Sequence, residues 1–192
     1  FLKVSDDQSS GQDVNRCELN INGGSLIAEG TASDSIYFVS NAESPGDDDW
    51  YGIYNNGGIG TVRLSYVSYR HASYVFRGGF NFKGSESDSL RITHSHFQDI
   101  GSDIFGSGGS GYSGARMIIK NNKFADFSYF FRDNFNLYGT GTLLEIDSNQ
   151  FIAPHSNLIG NSLRVQEAGA KIRFTNNQST ENSYMQFYAY GT

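Results

Sequence analysis

The chain has 192 residues, a net charge of −6 at neutral pH, 23 Gly, 2 Pro and one cysteine. That length suits a single domain that buries most of its surface, and the composition favours short strands joined by tight turns. The net charge disfavours nucleic acid and anionic membrane surfaces as partners, and the 14 Lys and Arg are scattered rather than gathered in a basic stripe. Lone Cys17 excludes an internal disulfide and a thiolate metal cluster. No apolar run approaches the roughly 18 residues that a membrane span needs, so the chain reads as soluble, either a mature form or a segment of a longer protein.

Residues 1–16 are polar and read as the remnant of an earlier coil. From Cys17 the apolar residues alternate: Leu19 and Ile21 point inward, Gly23-Gly24 turns the chain, Leu26 and Ala28 point inward again, and Ile36-Tyr-Phe38 repeats the pattern. A longer periodicity follows. Val62-Arg-Leu64, Leu90-Arg-Ile92, Met117-Ile-Ile119, Leu144-Glu-Ile146 and Ile172-Arg-Phe174 recur at intervals of 28, 27, 27 and 28 residues. A fixed period of that size is the signature of a solenoid, and no 3.6-residue apolar stripe supports a helical repeat. Each triplet leads into a polar turn, followed in the middle coils by Phe97, Phe124 and Phe151, which predicts strand, corner, strand. Asn121 or Asn122, Asn149, and Asn176 or Asn177 fall at one corner, where stacked amides would form a ladder. A further strand is expected at Tyr74-Val-Phe76, Ile104-Phe105, Phe130-Phe131, Leu158-Ile159 and Met185-Gln-Phe187, making each coil triangular, with variable loops projecting from one edge.

The predicted fold is all-β: one right-handed parallel β-helix over residues 17–192, of about six or seven coils of 22–28 residues. The stretch Leu19-Asn-Ile-Asn-Gly-Gly-Ser-Leu-Ile-Ala-Glu-Gly-Thr31, with Ser35-Ile-Tyr-Phe-Val-Ser40, Ser44-Pro-Gly-Asp47 and Trp50-Tyr-Gly-Ile53, resembles the pectin-lyase-like superfamily. Within it the likeness is to bacterial secreted and surface β-helix regions, from which this chain departs by the two extra acids of Asp47-Asp48-Asp49. The resemblance implies an extracellular or cell-surface location. Enzymes of this kind cleave polysaccharide on the outer face of one sheet, with clustered acids and a nearby Arg or Lys.

Only Arg132 and Asp133, with Arg77 assisting, carry such chemistry in the third-strand stack, so a polysaccharide lyase or hydrolase is the alternative reading. The leading expectation is a non-catalytic module, a stalk, adhesin or filament segment that binds a polysaccharide or a surface protein. Trp50, Tyr51, Tyr112 and Tyr138 are the candidate ligand contacts, because exposed aromatic rings stack on sugars or on partner proteins. A strand-like end at Tyr184 to Tyr190 is open to end-to-end self-assembly. No cofactor is expected apart from calcium, for which Asp47, Asp48 and Asp49 would supply part of the six to eight oxygens needed. His94 and His96, two apart, would face one side of a strand. Asn177-Gln-Ser179 is a glycosylation sequon.

Overall fold

The five triplets stack as neighbouring parallel strands, one from each turn of a solenoid. Val62 pairs with Leu90, Leu90 with Met117, Met117 with Leu144 and Leu144 with Ile172, without a break in register. The computed structural model describes residues 13, 15–55, 60–78, 89–106, 111–113, 115–132, 134–152, 162–166, 169–180 and 187–190, with 111–113, 134–135, 162–166 and 187–190 as backbone only.

In chain order the strands are β1 (Glu18–Ile21), β2 (Leu26–Glu29), β3 (Ile36–Phe38), β4 (Gly52–Asn55), β5 (Val62–Ser65) and β6 (Val67–Gly78). Then come β7 (Leu90–Thr93), β8 (His96–Gly106), β9 (Gly111–Ser113), β10 (Arg116–Lys120), β11 (Lys123–Ala125), β12 (Tyr129–Phe131) and β13 (Asn134–Tyr138). The last are β14 (Leu143–Asp147), β15 (Gln150–Ile152), β16 (Ser162–Gln166), β17 (Lys171–Thr175), β18 (Gln178–Ser179) and β19 (Phe187–Tyr190). The first face is the six-stranded sheet β2-β5-β7-β10-β14-β17. Strands β6 and β8 each bend to serve two faces. Their first halves join β3, β11, β15 and β18 in the second face, and their second halves join β1, β4 and β12 in the third.

Three expectations change here. The coil is not triangular throughout, because β9, β13, β16 and β19 form a fourth parallel sheet within segments read from sequence as loops or, at Phe187, as third strand. Phe187 pairs with Leu163 of β16, while Leu158 and Ile159 lie outside the described residues. The described solenoid has about four turns rather than six or seven, because the coil before Val62 is irregular. Its short strands β2 and β3 are separated by an acidic turn from its third strand, β4.

Two kinds of corner recur. After the first face, Tyr66, His94, Asn121, Ser148 and Asn176 all adopt the left-handed conformation, with φ between 50° and 56°. After the second, His71, Asp99 and Asp126 do the same, with φ of 64°, 55° and 51°. The ladder forms from the second member of each Asn pair. Asn149 Nδ2 donates to the Ile119 carbonyl and to Asn177 Oδ1, both at 2.9 Å, while Asn149 Oδ1 accepts from the Asn122 backbone N–H and from Asn122 Nδ2, both at 3.0 Å. Asn177 Nδ2 donates in turn to the Ile146 and Thr175 carbonyls at 2.8 Å, so the sequon's amide is already engaged.

Inside, rings stack at close to the spacing of paired strands. Tyr69, Phe97, Phe124, Phe151 and Phe174 form a column with successive centroid separations of 5.8, 4.9, 5.5 and 6.5 Å. Phe76, Phe105 and Phe131 form a second column with separations of 5.2 Å. Phe130 sets its edge against Phe124 and Phe151, at 4.9 and 5.1 Å. Burying each such ring contributes roughly 1.5–3 kcal/mol before entropy. The exposed positions alternate with them as expected: Ile27 and Tyr37 are 58% and 62% exposed beside buried Ala28 and half-buried Phe38.

Candidate functional site

The third face gathers the chemistry. A bulge between Ala72 and Tyr74 re-phases β6 against β8, so that Tyr74 pairs with Asp103 and Arg77 with Gly106. On the next rung Tyr129 pairs with Asp103, and Arg132 follows Phe131, the partner of Phe105. Arg77, Gly106 and Arg132 therefore occupy successive rungs. The two arginines stand about two strand spacings apart, roughly 9.6 Å.

Aromatic rings flank both cations. The Arg77 guanidinium lies 4.8 Å over the Tyr74 ring, and that of Arg132 lies 5.9 Å over Tyr129. Tyr51 meets Tyr74 edge-on at 5.3 Å and lies tilted to Tyr54 at 6.4 Å, and Arg16 lies 5.5 Å over Tyr51. Arg77 Nη1 donates to the Gly106 carbonyl at 2.9 Å; Arg132 Nη1 reaches Ser102 Oγ at 3.1 Å and Asp103 Oδ2 at 3.4 Å. Glycine at 106 is what allows the convergence. A β-carbon there would lie 2.9 Å from the Tyr74 ring, 3.0 Å from Asp103 Oδ2 and 3.2 Å from Arg77 Nη1.

Asp103 is fully buried, and its Oδ1 has no hydrogen-bond partner among the described residues. Burial pushes its carboxyl above the usual range, against the pull of Arg132, Ser102 and Arg77. Burial likewise raises the Tyr51 phenol, against the opposing Arg77 charge. The arrangement offers two anchored cations, ring faces and edges, and a carboxyl that burial makes hold its proton more tightly than usual. Carboxylated or sulfated groups suit the arginines, and the rings suit sugar stacking.

Of the residues singled out from sequence, Tyr51, Arg77 and Arg132 belong to this face. Trp50 does not. It is 0% exposed, packs 4.8 Å from Tyr69, and donates its indole N–H to the Arg70 carbonyl at 2.8 Å, which leaves no ring face for a ligand. Tyr138 lies half-buried on β13, and its carbonyl accepts the Thr142 hydroxyl. Tyr112 is on β9, paired with Leu137, and its side chain is outside the description. Asp133 also falls outside the described residues.

The acidic turn is tied to the coil. The Asp47 carbonyl accepts from the Gly101 N–H at 2.8 Å, the Asp48 carboxylate binds Arg16 and the Ser73 hydroxyl, and the Asp49 N–H donates to the His71 carbonyl at 3.1 Å. Among the described residues no three His, Cys, Asp or Glu side chains gather as a metal ion would require, these aspartates included. Nor do His94 and His96 share a strand face. A corner at His94 separates them, leaving His94 stacked on Tyr66 at 5.1 Å and His96 Nδ1 3.4 Å from Arg70 Nη2. Burial, with the Arg70 and Lys123 charges, holds His96 below the usual imidazole range.

Asp103, Tyr74 and Tyr129 were not singled out as site residues from sequence. The available signal was Asp103 itself, a carboxylate directly before the apolar pair Ile104-Phe105.

No known protein family, curated protein or solved structure matches this chain.

Proposed function

We propose that this chain is a non-catalytic, extracellular β-helix module of the pectin-lyase-like kind that binds an acidic polysaccharide along its third face. The observation that carries the reading is the pair Arg77 and Arg132, two rungs apart with Gly106 between them and each laid against a tyrosine. A rod that carries its cations on spaced rungs along one face suits an extended polymer. The overall negative charge does not oppose this, because exposed charges beyond about 8 Å are largely screened at physiological ionic strength, whereas a contacting guanidinium is not. The resemblance of residues 19–53 to secreted β-helix regions supports the same class of partner.

The test is affinity electrophoresis in gels containing polygalacturonate or a neutral glucan. The expected result is retardation by the acidic polymer alone, weakened by salt and reduced about tenfold or more in an Arg77→Gln/Arg132→Gln variant. Equal retardation in both gels, or none, would reject the reading.

One observation favours the enzyme alternative. A buried carboxyl held above its usual range beside two arginines has the properties of a general acid. A glycosidase needs a second carboxyl about 5–9.5 Å away, whereas Asp103 is the one acid described among these contacts. Polysaccharide chain length measured before and after incubation decides the matter: shortening abolished by Asp103→Asn supports the enzyme, and unchanged length supports the binding module.

A further inference from the structure

The first face carries a separate groove on its outer side, with a volume of about 420 Å³. Its floor is built by two rungs in register, with Arg63 beside Arg91 and Ser65 beside Thr93. Tyr66 and His94, their rings stacked at 5.1 Å and 12°, form one wall. Glu29, paired with Ser65 on the preceding rung, closes an end.

Two features mark this as a site rather than a solvated sheet. Arg63 and Arg91 lie directly opposite each other on neighbouring strands, which sets two cations side by side along the groove. The corner beside them is built at a cost. Asn121, Ser148 and Asn176 take the left-handed position on later coils, whereas Tyr66 and His94 take it here, with φ of 50° and 52°. Asparagine and histidine tolerate that conformation; tyrosine does so with strain. The two coils that depart from the Asn/Ser pattern are the two that line the groove, and the rings they substitute make its wall.

The geometry points to an acidic-sugar site here: a carboxylated or sulfated sugar unit whose oxyanion is shared by Arg63 and Arg91. The Ser65 and Thr93 hydroxyls and the Glu29 carboxylate bond its ring hydroxyls, and the Tyr66 and His94 rings cover one side. The volume is within the range of small-ligand pockets, about 300–1,000 Å³. This site lies on a different sheet from Arg77 and Arg132 and stands or falls independently of them.

The ¹⁵N-labelled chain would be titrated separately with trigalacturonate, a sulfated trisaccharide, the methyl ester of trigalacturonate, and sodium sulfate. The expected result is that amides of residues 63–66 and 91–94 shift with either acidic trisaccharide, with affinity at least about tenfold above that of the ester. Arg63→Gln weakens binding by at least about tenfold and Arg63→Lys by less, since lysine keeps the charge but loses the fork. Glu29→Gln tightens binding by removing a like charge, and Arg77→Gln leaves these shifts unchanged. Circular dichroism confirms that each variant is folded. Absent shifts, equal binding of the ester, or full reproduction of the shifts by sodium sulfate at equal affinity would overturn the proposal, the last showing an adventitious ion only.

Discussion

Asn149 and Asp103 are both 0% exposed, yet the chain treats them in opposite ways. The asparagine spends both amide hydrogens and its oxygen on bonds to the coils on either side. The aspartate has one oxygen without a partner among the described residues and shares the other with a partly exposed arginine. A buried polar group that is fully satisfied fixes a fold, whereas one left half-satisfied costs stability and has to be accounted for by what it does.

Substitutions can break that contrast, and the largest effect belongs to the ladder. Asn149→Ala strips bonds from the Asn122 N–H, the Ile119 carbonyl and the Asn177 side chain, and urea unfolding should register a loss of about 3 kcal/mol or more. Next comes Gly106→Ala, whose added carbon crowds Tyr74, Asp103 and Arg77. It should cost roughly 1–3 kcal/mol and weaken polygalacturonate retardation in the same variant.

Asp103→Asn has the opposite sign. The folded protein holds the Asp103 proton more tightly than the unfolded chain, so wild-type stability falls as pH rises from the ordinary carboxylate value of 3.8 through the raised one. The variant lacks that fall, and its thermal midpoint should lie above wild type at pH 7 and converge with it in acid. A wild-type advantage at pH 7 would mean that the ion pair with Arg132 outweighs the burial penalty. The smallest effect is expected for Tyr66→Asn, where relief of the left-handed conformation offsets the lost His94 stack. Stability should move by less than about 1 kcal/mol while the groove beside Arg63 loses its wall.

The solenoid was legible because its repeating contacts are repeating residues: Leu90, Met117, Leu144 and Ile172 could be aligned by eye, and Phe97, Phe124 and Phe151 share one column. The ladder was legible to within one position, since either member of each Asn pair fits a corner and only the backbone decides which turns inward. The site was harder to read, because its members come from parts of the coil where the period slips. The bulge that brings Tyr74 opposite Asp103 is invisible without the neighbouring strand. Trp50 misled for a related reason. Its acidic flank suggests solvent, but its indole N–H finds the Arg70 carbonyl inside the coil.

The corners also divide the coil into a part that keeps count and a part that does not. From Val62, Leu90, Met117, Leu144 and Ile172, the first left-handed residue falls four positions later in every case, at Tyr66, His94, Asn121, Ser148 and Asn176. The second, where described, falls nine positions later, at His71, Asp99 and Asp126. Beyond that the count drifts: Phe76 and Phe131 fall at fourteen and Phe105 at fifteen. A single inserted residue before the second corner would throw the ladder and the ring column out of step on its own turn. After that corner the bulge or the outer segments can absorb it. Length variation during evolution, and loop grafting in the laboratory, are thereby steered to the side of the rod that carries Arg77 and Arg132.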